Sequence, residues 1–537
     1  MLAEHATIVG VRGEYAHSGT PAAPGERHAY RGRVTQLGAQ PATPTPPLER
    51  DSTAPSVSTG QVASSALWRA IETAGTELVA FIVFTTLARL LAPDDFGAVA
   101  LAGSIMTMLQ GLVYHGFTEA LIQRADVTDA HHRAVLAANL SLAAVLVAFG
   151  LLVAWPIGWV LGRSEFPIIF SALLPSLLFR SMSSPMLASL RRELDFRAIA
   201  IRTLMGVCVG GVMAVILAQR GVGFWALVVQ QWSAELVGFA VLVRVSPCKP
   251  WSLRWNMAAL RELIPVALPV AGAALLSVAA RRMDTIVLAL FLPNRAVGIY
   301  FFVYRLVFAA QMVTQHGMSE VAMVVLSSIN REAERYRVAL LRAMRLMSFV
   351  CACAFGLLAT AGPWIVPFVF SDTWAPAAEP LRVMAALSVG GAVVSVAGVT
   401  LVASGYAAAY SRLVVGSALA QLLAVALTAR YGLVTVAWGV GIAQCLSMIP
   451  ALRMLSKYYE LPVLRLVQQI LPTLLLFGVG MALALWLGRM GDAWYVELRA
   501  VLAFCAVMGL GALLLLRKER EIARESMLPP APPAAPN

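Results

Sequence analysis

From about residue 60 to residue 516 the chain is a succession of apolar windows of roughly 19 residues, and no other feature restricts the fold so severely. They lie near 65–89, 97–121, 135–161, 168–189, 198–219, 222–244, 263–290, 297–321, 341–366, 380–402, 410–429, 432–453, 466–488 and 496–516. At 1.5 Å per residue most of these stretches can cross about 30 Å of hydrocarbon, and the connections between them are short. In that medium every backbone polar group must find its partner within the protein, which leaves helices or closed barrels. Runs of this length and continuity predict an all-α polytopic membrane protein of about 14 transmembrane helices. Composition agrees, since 59% of the 537 residues are hydrophobic and 13% are charged. A soluble domain carries roughly 25% charged residues, so too little polar surface exists here to wrap a globule in water.

The net charge of +12 would suggest a nucleic-acid partner in a soluble protein, but here the basic residues sort by loop. One alternate set of loops carries Arg124, Arg133, Arg191, Arg192, Arg197, Arg244, Lys249, Arg254, Arg261, Arg331, Arg335, Arg337, Arg342, Arg345, Arg412, Arg453, Lys457 and Arg465. The other carries Arg163, Arg220, Arg295, Arg430, Arg489 and Arg499, with Asp94, Asp95, Asp372, Glu379 and Asp492 among them. Basic loops near span ends stay on the cytoplasmic side, so both termini are expected inside and the number of spans even. The charge is thereby a topology signal, and no nucleic-acid partner is expected. The six cysteines, Cys208, Cys248, Cys351, Cys353, Cys445 and Cys505, sit mostly in apolar runs without a CxxC pair or a histidine at ligand spacing. They read as small apolar residues, and neither a metal nor a cofactor is expected.

Residues 1–61 are rich in Pro, Ala, Gly, Ser and Thr and read as a disordered cytoplasmic tail without a secretory signal; residues 519–537 read likewise. Between them the sequence repeats itself. "YHGFTEALIQ" in the second span and "QHGMSEVAMV" in the eighth align His115, Gly116, Thr118 and Glu119 with His316, Gly317, Ser319 and Glu320 at an offset of 201 residues. The upstream turns "LLAPDDFGAVA" and "LFLPNRAVGIY" pair Gly97 with Gly298 at the same offset, and Pro93 with Pro293 one residue out of step. Two matches in register imply a duplicated six-span unit. Because six is even, both copies enter the membrane from the same side and form a parallel pseudo-two-fold repeat. The expected organisation is an N-lobe at 62–250, a C-lobe at 251–457 and two further C-terminal helices at 458–518.

The segments "LARLLAPDDFGAVALAGSIMTMLQGLVYHGFTEALIQR" and "MDTIVLALFLPNRAVGIYFFVYRLV" resemble the first and second lobes of Wzx-type polysaccharide flippases, in the multidrug/oligosaccharidyl-lipid/polysaccharide superfamily. The resemblance runs over roughly residues 62–516. It implies an inner-membrane exporter of undecaprenyl-pyrophosphate-linked oligosaccharide repeat units for exopolysaccharide, capsule or O-antigen (lipopolysaccharide) assembly. Its partners would be the lipid-linked oligosaccharide, membrane lipid, and the polysaccharide polymerase and export machinery.

Charge at mid-bilayer costs at least about 2.5–3.5 kcal/mol, so each intramembrane charge must face a cavity or a partner. Arg180, Arg281, Arg282 and Arg305 are the candidates for binding substrate in a lumen, because a guanidinium keeps its charge when desolvated and grips a pyrophosphate in bidentate fashion. The alternative is salt bridging inside the membrane, with Arg281 and Asp284, three apart on one face, as the obvious pair. Gating or ion-coupling candidates are Glu77, Glu235, Asp284 and the two i, i+4 pairs His115/Glu119 and His316/Glu320. For those pairs, simple helix-end packing is the competing reading.

Other functions compete with the flippase. An ion-coupled drug antiporter or a lipid II flippase would share the architecture, though arginines in the spans favour an anionic substrate over cationic drugs. A polysaccharide polymerase, ligase or glycosyltransferase would need a long external loop or a soluble catalytic domain. The external loops are short and carry neither DxD nor GxSxG, so no enzymatic activity is expected.

Overall fold

The computed structural model of the chain describes residues 59–124, 126–246, 255–329, 332–490 and 494–527. Fourteen helices among them are long and apolar enough to cross a membrane. In chain order these are α1 Ser64–Leu90, α2 Pro93–Gln123, α3 Asp129–Val160, α4 Glu165–Arg192, α5 Phe196–Gln219, α6 Trp225–Val245 and α7 Met257–Phe291. They continue with α8 Asn294–Ser328, α9 Ala333–Val369, α10 Asp372–Ala403, α11 Ala407–Tyr431, α12 Leu433–Tyr459, α13 Val463–Gly488 and α14 Tyr495–Leu513. No strand occurs among the described residues. The tail readings for residues 1–58 and 528–537 lie outside them, as do Cys248, Lys249, Arg254, Arg331 and Asp492. Helix begins at Thr59 and, at the other end, runs on to Met527, so residues 519–527 are helical where an unstructured tail was expected.

The repeated proline turns do the same work twice. Proline disfavours α conformation in the residue before it and is at ease at the start of a helix. Accordingly α1 ends at Leu90 before Pro93 opens α2, and α7 ends at Phe291 before Pro293 caps α8. At the first turn the Asp95 carboxylate also accepts the Ala92 backbone N–H at 3.2 Å. Four spans are broken along their length. Pro175 interrupts α4 between Glu165–Leu173 and Ser176–Arg192, a π turn at Met312–His316 interrupts α8, a 3₁₀ turn at Ser388–Gly390 interrupts α10, and a turn at Ser447 divides α12 into Leu433–Leu446 and Met448–Tyr459.

Helix neighbours recur with a step of six. In the first six helices α1 packs on α5, α5 on α6 and α3 on α4; in the second six α7 packs on α11, α11 on α12 and α9 on α10. The last two helices, α13 and α14, pack on each other and on α9. Contact between the two sets runs mainly through α2, which lies along α7 and crosses the start of α8. Small residues permit that approach: Gly111 faces Val278, and Gly116 faces Ala271.

The closest approach involves the duplicated glycines themselves. A methyl group on Gly97 would stand 1.8 Å from the Asn294 carbonyl oxygen, and one on Gly298 would stand 1.9 Å from that of Pro93. Each glycine therefore meets the first turn of the other's helix, backbone against backbone. Aromatic rings close the space below this crossing. Phe302 lies 4.3 Å from Trp374 and 4.7 Å from Phe370 between ring centroids, and Phe84 and Phe96 complete the cluster. Polar ties hold its rim: Trp374 Nε1 donates to the Ala88 carbonyl at 2.6 Å, and Arg89 donates to the Val369 carbonyl. Arg163, in the α3–α4 connection, donates to the Ala289 and Leu292 carbonyls at 2.9 and 2.6 Å and to the Asn294 side chain. All these contacts lie at the bundle end that carries Asp94, Asp95, Asp372 and Glu379, opposite the Arg-rich loops.

A substitution Gly97→Ala or Gly298→Ala should push this crossing apart, at a cost of about 1–3 kcal/mol to the closed arrangement. Spin labels on Asp94 and Arg295, both exposed and one on each side of the crossing, should report a longer distance in either variant; an unchanged distance would mean the crossing tolerates a methyl.

Candidate functional site

The turn between α7 and α8 sets the depth of three arginines. Arg282 lies ten residues before Leu292 and Arg305 twelve after Pro293, so both sit about 15–18 Å from the same turn, near the middle of a 30 Å hydrocarbon layer. Antiparallel packing of the two helices brings Arg281, Arg282 and Arg305 to one cavity of 240 Å³, which Phe84, Phe301, Tyr304 and Phe308 also line. Phe84 belongs to α1, so the cavity spans the boundary between the two helix sets. Its cations differ in how far they are compensated. Arg305 Nη2 lies 3.0 Å from the Glu77 carboxylate of α1. Asp284, expected to pair with Arg281, instead accepts the Tyr300 hydroxyl at 2.8 Å and the Thr285 backbone N–H at 2.7 Å. The preference is physical. A fully buried phenol on α8 is fixed in place beside the carboxylate, whereas Arg281 is exposed and forms no ion pair with Asp284. Among the described residues neither Arg281 nor Arg282 forms an ion pair with a carboxylate, so the cavity holds an excess of positive charge.

A second cluster lies within the first six helices. Arg180 of α4 reaches Glu235 of α6 at 2.9 Å, and Arg202 of α5 approaches the other carboxylate oxygen at 3.6 Å. Glu235 is 7% exposed, so these charges are compensated by one another rather than by water. The Arg180 and Arg191 guanidinium groups lie over the Tyr114 ring, 5.2 and 5.6 Å from its centre, an arrangement that adds cation–π attraction. The lumen expectation for Arg180 thus meets the salt-bridge alternative. Glu235, expected to couple ions, is the carboxylate that holds α4, α5 and α6 together.

The two His/Glu pairs do not behave alike. Glu119 is taken by Arg191 at 3.1 Å, and His115 packs edge-on against Tyr114 at 5.1 Å, so the i, i+4 spacing does not make a pair of them. Glu320 is exposed, and the His316 side chain lies outside the described side chains, although its backbone forms the end of the π turn in α8. At the Arg-rich end Glu262 of α7 meets Arg124 at 2.5 Å and His131 at 3.4 Å, joining α7 to α2 and α3. Among the described residues no group of three or more His, Cys, Asp or Glu side chains is placed to hold a metal ion.

Sequence reasoning does not single out Arg202, Arg191, Tyr114 or Tyr304. An arginine seven residues into an apolar span is itself a signal, and Arg202 carries it. The tyrosines carry none, because an aromatic residue in a span is ordinarily lipid-facing bulk.

The chain matches the family described as polysaccharide biosynthesis protein over residues 86–379. It is 28% identical to the succinoglycan biosynthesis transport protein ExoT of Rhizobium meliloti over 342 residues, 63% of this chain and 68% of that protein. It is 21% identical to the lipopolysaccharide biosynthesis protein WzxC of Escherichia coli over 317 residues, 58% of this chain and 63% of that one, just under two thirds of its length. Among solved structures, the lipid II flippase MurJ in an inward closed conformation superposes with a TM-score of 0.67 at 13% identity, covering 84% of this chain and 99% of that one. That likeness is one of fold.

Two carboxylates in the membrane should respond differently to removal. Glu235→Ala strands two arginines in a buried site and is expected to cost about 3–5 kcal/mol. Glu77→Ala, whose partner pair is 40% exposed on the acid side, is expected to cost about 1 kcal/mol or less. Thermal unfolding of the purified variants in detergent compares them; similar losses would contradict the assignment of Glu235 as the structural carboxylate.

Proposed function

Since the chain belongs to the polysaccharide biosynthesis protein family and is a multi-pass membrane transporter, we propose that it flips undecaprenyl-pyrophosphate-linked oligosaccharide repeat units across the inner membrane. The product would feed exopolysaccharide, capsule or O-antigen assembly, with a polysaccharide polymerase and export machinery as downstream partners. The observation that carries this reading is the cavity of Arg281, Arg282 and Arg305 at mid-depth between two helix sets, where among the described residues two of the three cations form no ion pair with a carboxylate. An anionic group entering it gains charge-assisted hydrogen bonds in a medium of low polarity, and a pyrophosphate offers enough oxygens to engage all three guanidinium groups. The same excess charge repels a cationic drug, which argues against an antiporter of that kind.

In this reading both termini are cytoplasmic, and helices α1–α6 (residues 62–250) and α7–α12 (residues 251–457) move as two lobes with α13 and α14 attached to the second. The Gly97–Gly298 crossing with its aromatic plug is the external gate, closed in the present arrangement. Substrate enters from the Arg-rich side, its headgroup exchanges with the Glu77 carboxylate for Arg305, and rocking of the lobes about α2 and α7 opens the gate.

Deleting the gene should abolish the surface polysaccharide and cause lipid-linked repeat units to accumulate on the side where they are made; unchanged polysaccharide would refute the assignment. Accumulation of lipid II instead would assign the protein to cell-wall precursor export. Within the intact gene, Arg281→Ala, Arg282→Ala and Arg305→Ala should each lower export at least tenfold with membrane insertion unchanged, and Arg→Lys at these positions should restore it only in part, because an ammonium lacks the bidentate fork. Normal export by the alanine variants would remove the cavity from the mechanism.

A further inference from the structure

The second half of α8, Gly317–Ser328, buries only Leu326 against the rest of the protein. Twelve helical residues with one buried side chain leave a face without a protein partner. That face is one wall of a groove of 660 Å³, whose other walls are the first half of α9 and the later part of α10. The walls are apolar, with Val321, Val325, Val338, Leu346 and Val399 among them, and the mouth at the Arg-rich end of the bundle carries Arg335, Arg342 and Glu334. From Arg335 to Met347 the groove follows twelve residues of α9, about 18 Å, which is close to one leaflet of a bilayer.

We propose that this groove is a binding site for one anionic membrane phospholipid, with an acyl chain laid between α8 and α9 and the phosphate at Arg335 and Arg342. Charge and shape both point to that occupant. The site is long, apolar and one leaflet deep, so a chain fits it. Its mouth is cationic at the level of the headgroups, where basic side chains attract acidic lipids. The carboxylates nearby do not cancel this. Glu334 is bound to Arg337 at 2.8 Å, and the Arg335–Glu332 pair at 2.8 Å is solvent-exposed, hence weak and open to exchange with a phosphate. Arg342 has an interaction of its own in this arrangement and would share its remaining donors with the lipid.

A lipid-linked substrate is excluded as occupant by depth. In the proposed function its pyrophosphate would sit with Arg281 and Arg282 of α7 and Arg305 of the first half of α8, whereas the groove offers Arg335 and Arg342 nearer the Arg-rich end of the bundle. The site would nevertheless act on the same helix. The π turn Met312–His316 separates the groove-lining half of α8 from the half that holds Arg305, and Gln315 in that turn accepts the Ser395 hydroxyl of α10 at 2.7 Å. A lipid laid between α8 and α9 would lie alongside the half of α8 that follows this turn. The choice of a phospholipid over a lipid-linked substrate rests on the proposed function; the groove and its cations do not.

The test uses the purified full-length protein in detergent, with native mass spectrometry and thermal unfolding as readouts. Phosphatidylglycerol, phosphatidylcholine of the same acyl chains, and undecaprenyl phosphate are titrated separately. One phosphatidylglycerol should be retained in preference to phosphatidylcholine, and it should raise the unfolding temperature. The double variant Arg335→Gln/Arg342→Gln should weaken phosphatidylglycerol about tenfold and leave phosphatidylcholine unchanged. Val321→Trp and Val338→Trp, at positions 66% and 55% exposed where a larger side chain meets no packed core, should fold normally and lose the retained lipid. Equal affinity for the two phospholipids, retention by both tryptophan variants, or preferential displacement by undecaprenyl phosphate would each overturn the proposal. Loss of lipid selectivity on replacing Arg281 and Arg282 would also overturn it, because it would place the headgroup in the central cavity.

Discussion

The closest approach of the two helix sets is one backbone crossing, that of α2 over α8 at Gly97 and Gly298, and the packing around it depends on that approach. In hydrocarbon, apolar burial gives helices no reason to associate, so close packing and specific polar ties must do it. Two glycines that touch each other's first turns allow the shortest approach that backbones can make. The bulk of Phe84, Phe96, Phe302, Phe370 and Trp374 then fits beneath, and Arg89 and Arg163 satisfy carbonyls that the helix ends leave unpaired. A crossing built on hard atoms with no compressible side chain is either made or broken. It has the character of a switch.

The intramembrane charges divide by whether the protein spends them on itself. Glu235 with Arg180 and Arg202, and Glu119 with Arg191, neutralise charge among α2, α4, α5 and α6, where exposure is low. Such clusters add little net stability, but removing one partner is expensive, so they fix which helices are neighbours. In the cavity at α7 and α8 the opposite holds. Asp284 is committed to Tyr300 and Thr285, and Glu77 pairs with Arg305, leaving the site short of anionic partners among the described residues. Charge left uncompensated at that depth is costly to the empty protein and is relieved when an anion arrives.

The eighth helix connects these features. Its first half carries Gly298 at the crossing, Phe302 in the plug, Tyr300 on Asp284 and Arg305 in the cavity. Its second half, beyond the π turn, fully buries only Leu326 and leaves one face open. A helix gripped at one end and loose at the other can pivot, and the hydrogen bond from Ser395 to Gln315 marks where.

Helix count, alternate loop charge, the duplication at an offset of 201 and the intramembrane positions of Arg180, Arg281, Arg282 and Arg305 were all legible in the chain of residues, whereas Arg202 was not singled out. They follow from period, spacing and the cost of charge in hydrocarbon, which act locally. The sequence also paired Gly97 with Gly298 as equivalents, though nothing in it says that equivalents should touch. Which carboxylate meets which arginine was decided only by the tertiary structure. Arg281 and Asp284 share a helix face, yet Asp284 turns to a tyrosine sixteen residues away; His115 and Glu119 share one, yet Glu119 turns to Arg191 on another helix. An ion pair depends on distances of a few ångströms between helices, and sequence spacing fixes such distances only within a single helix.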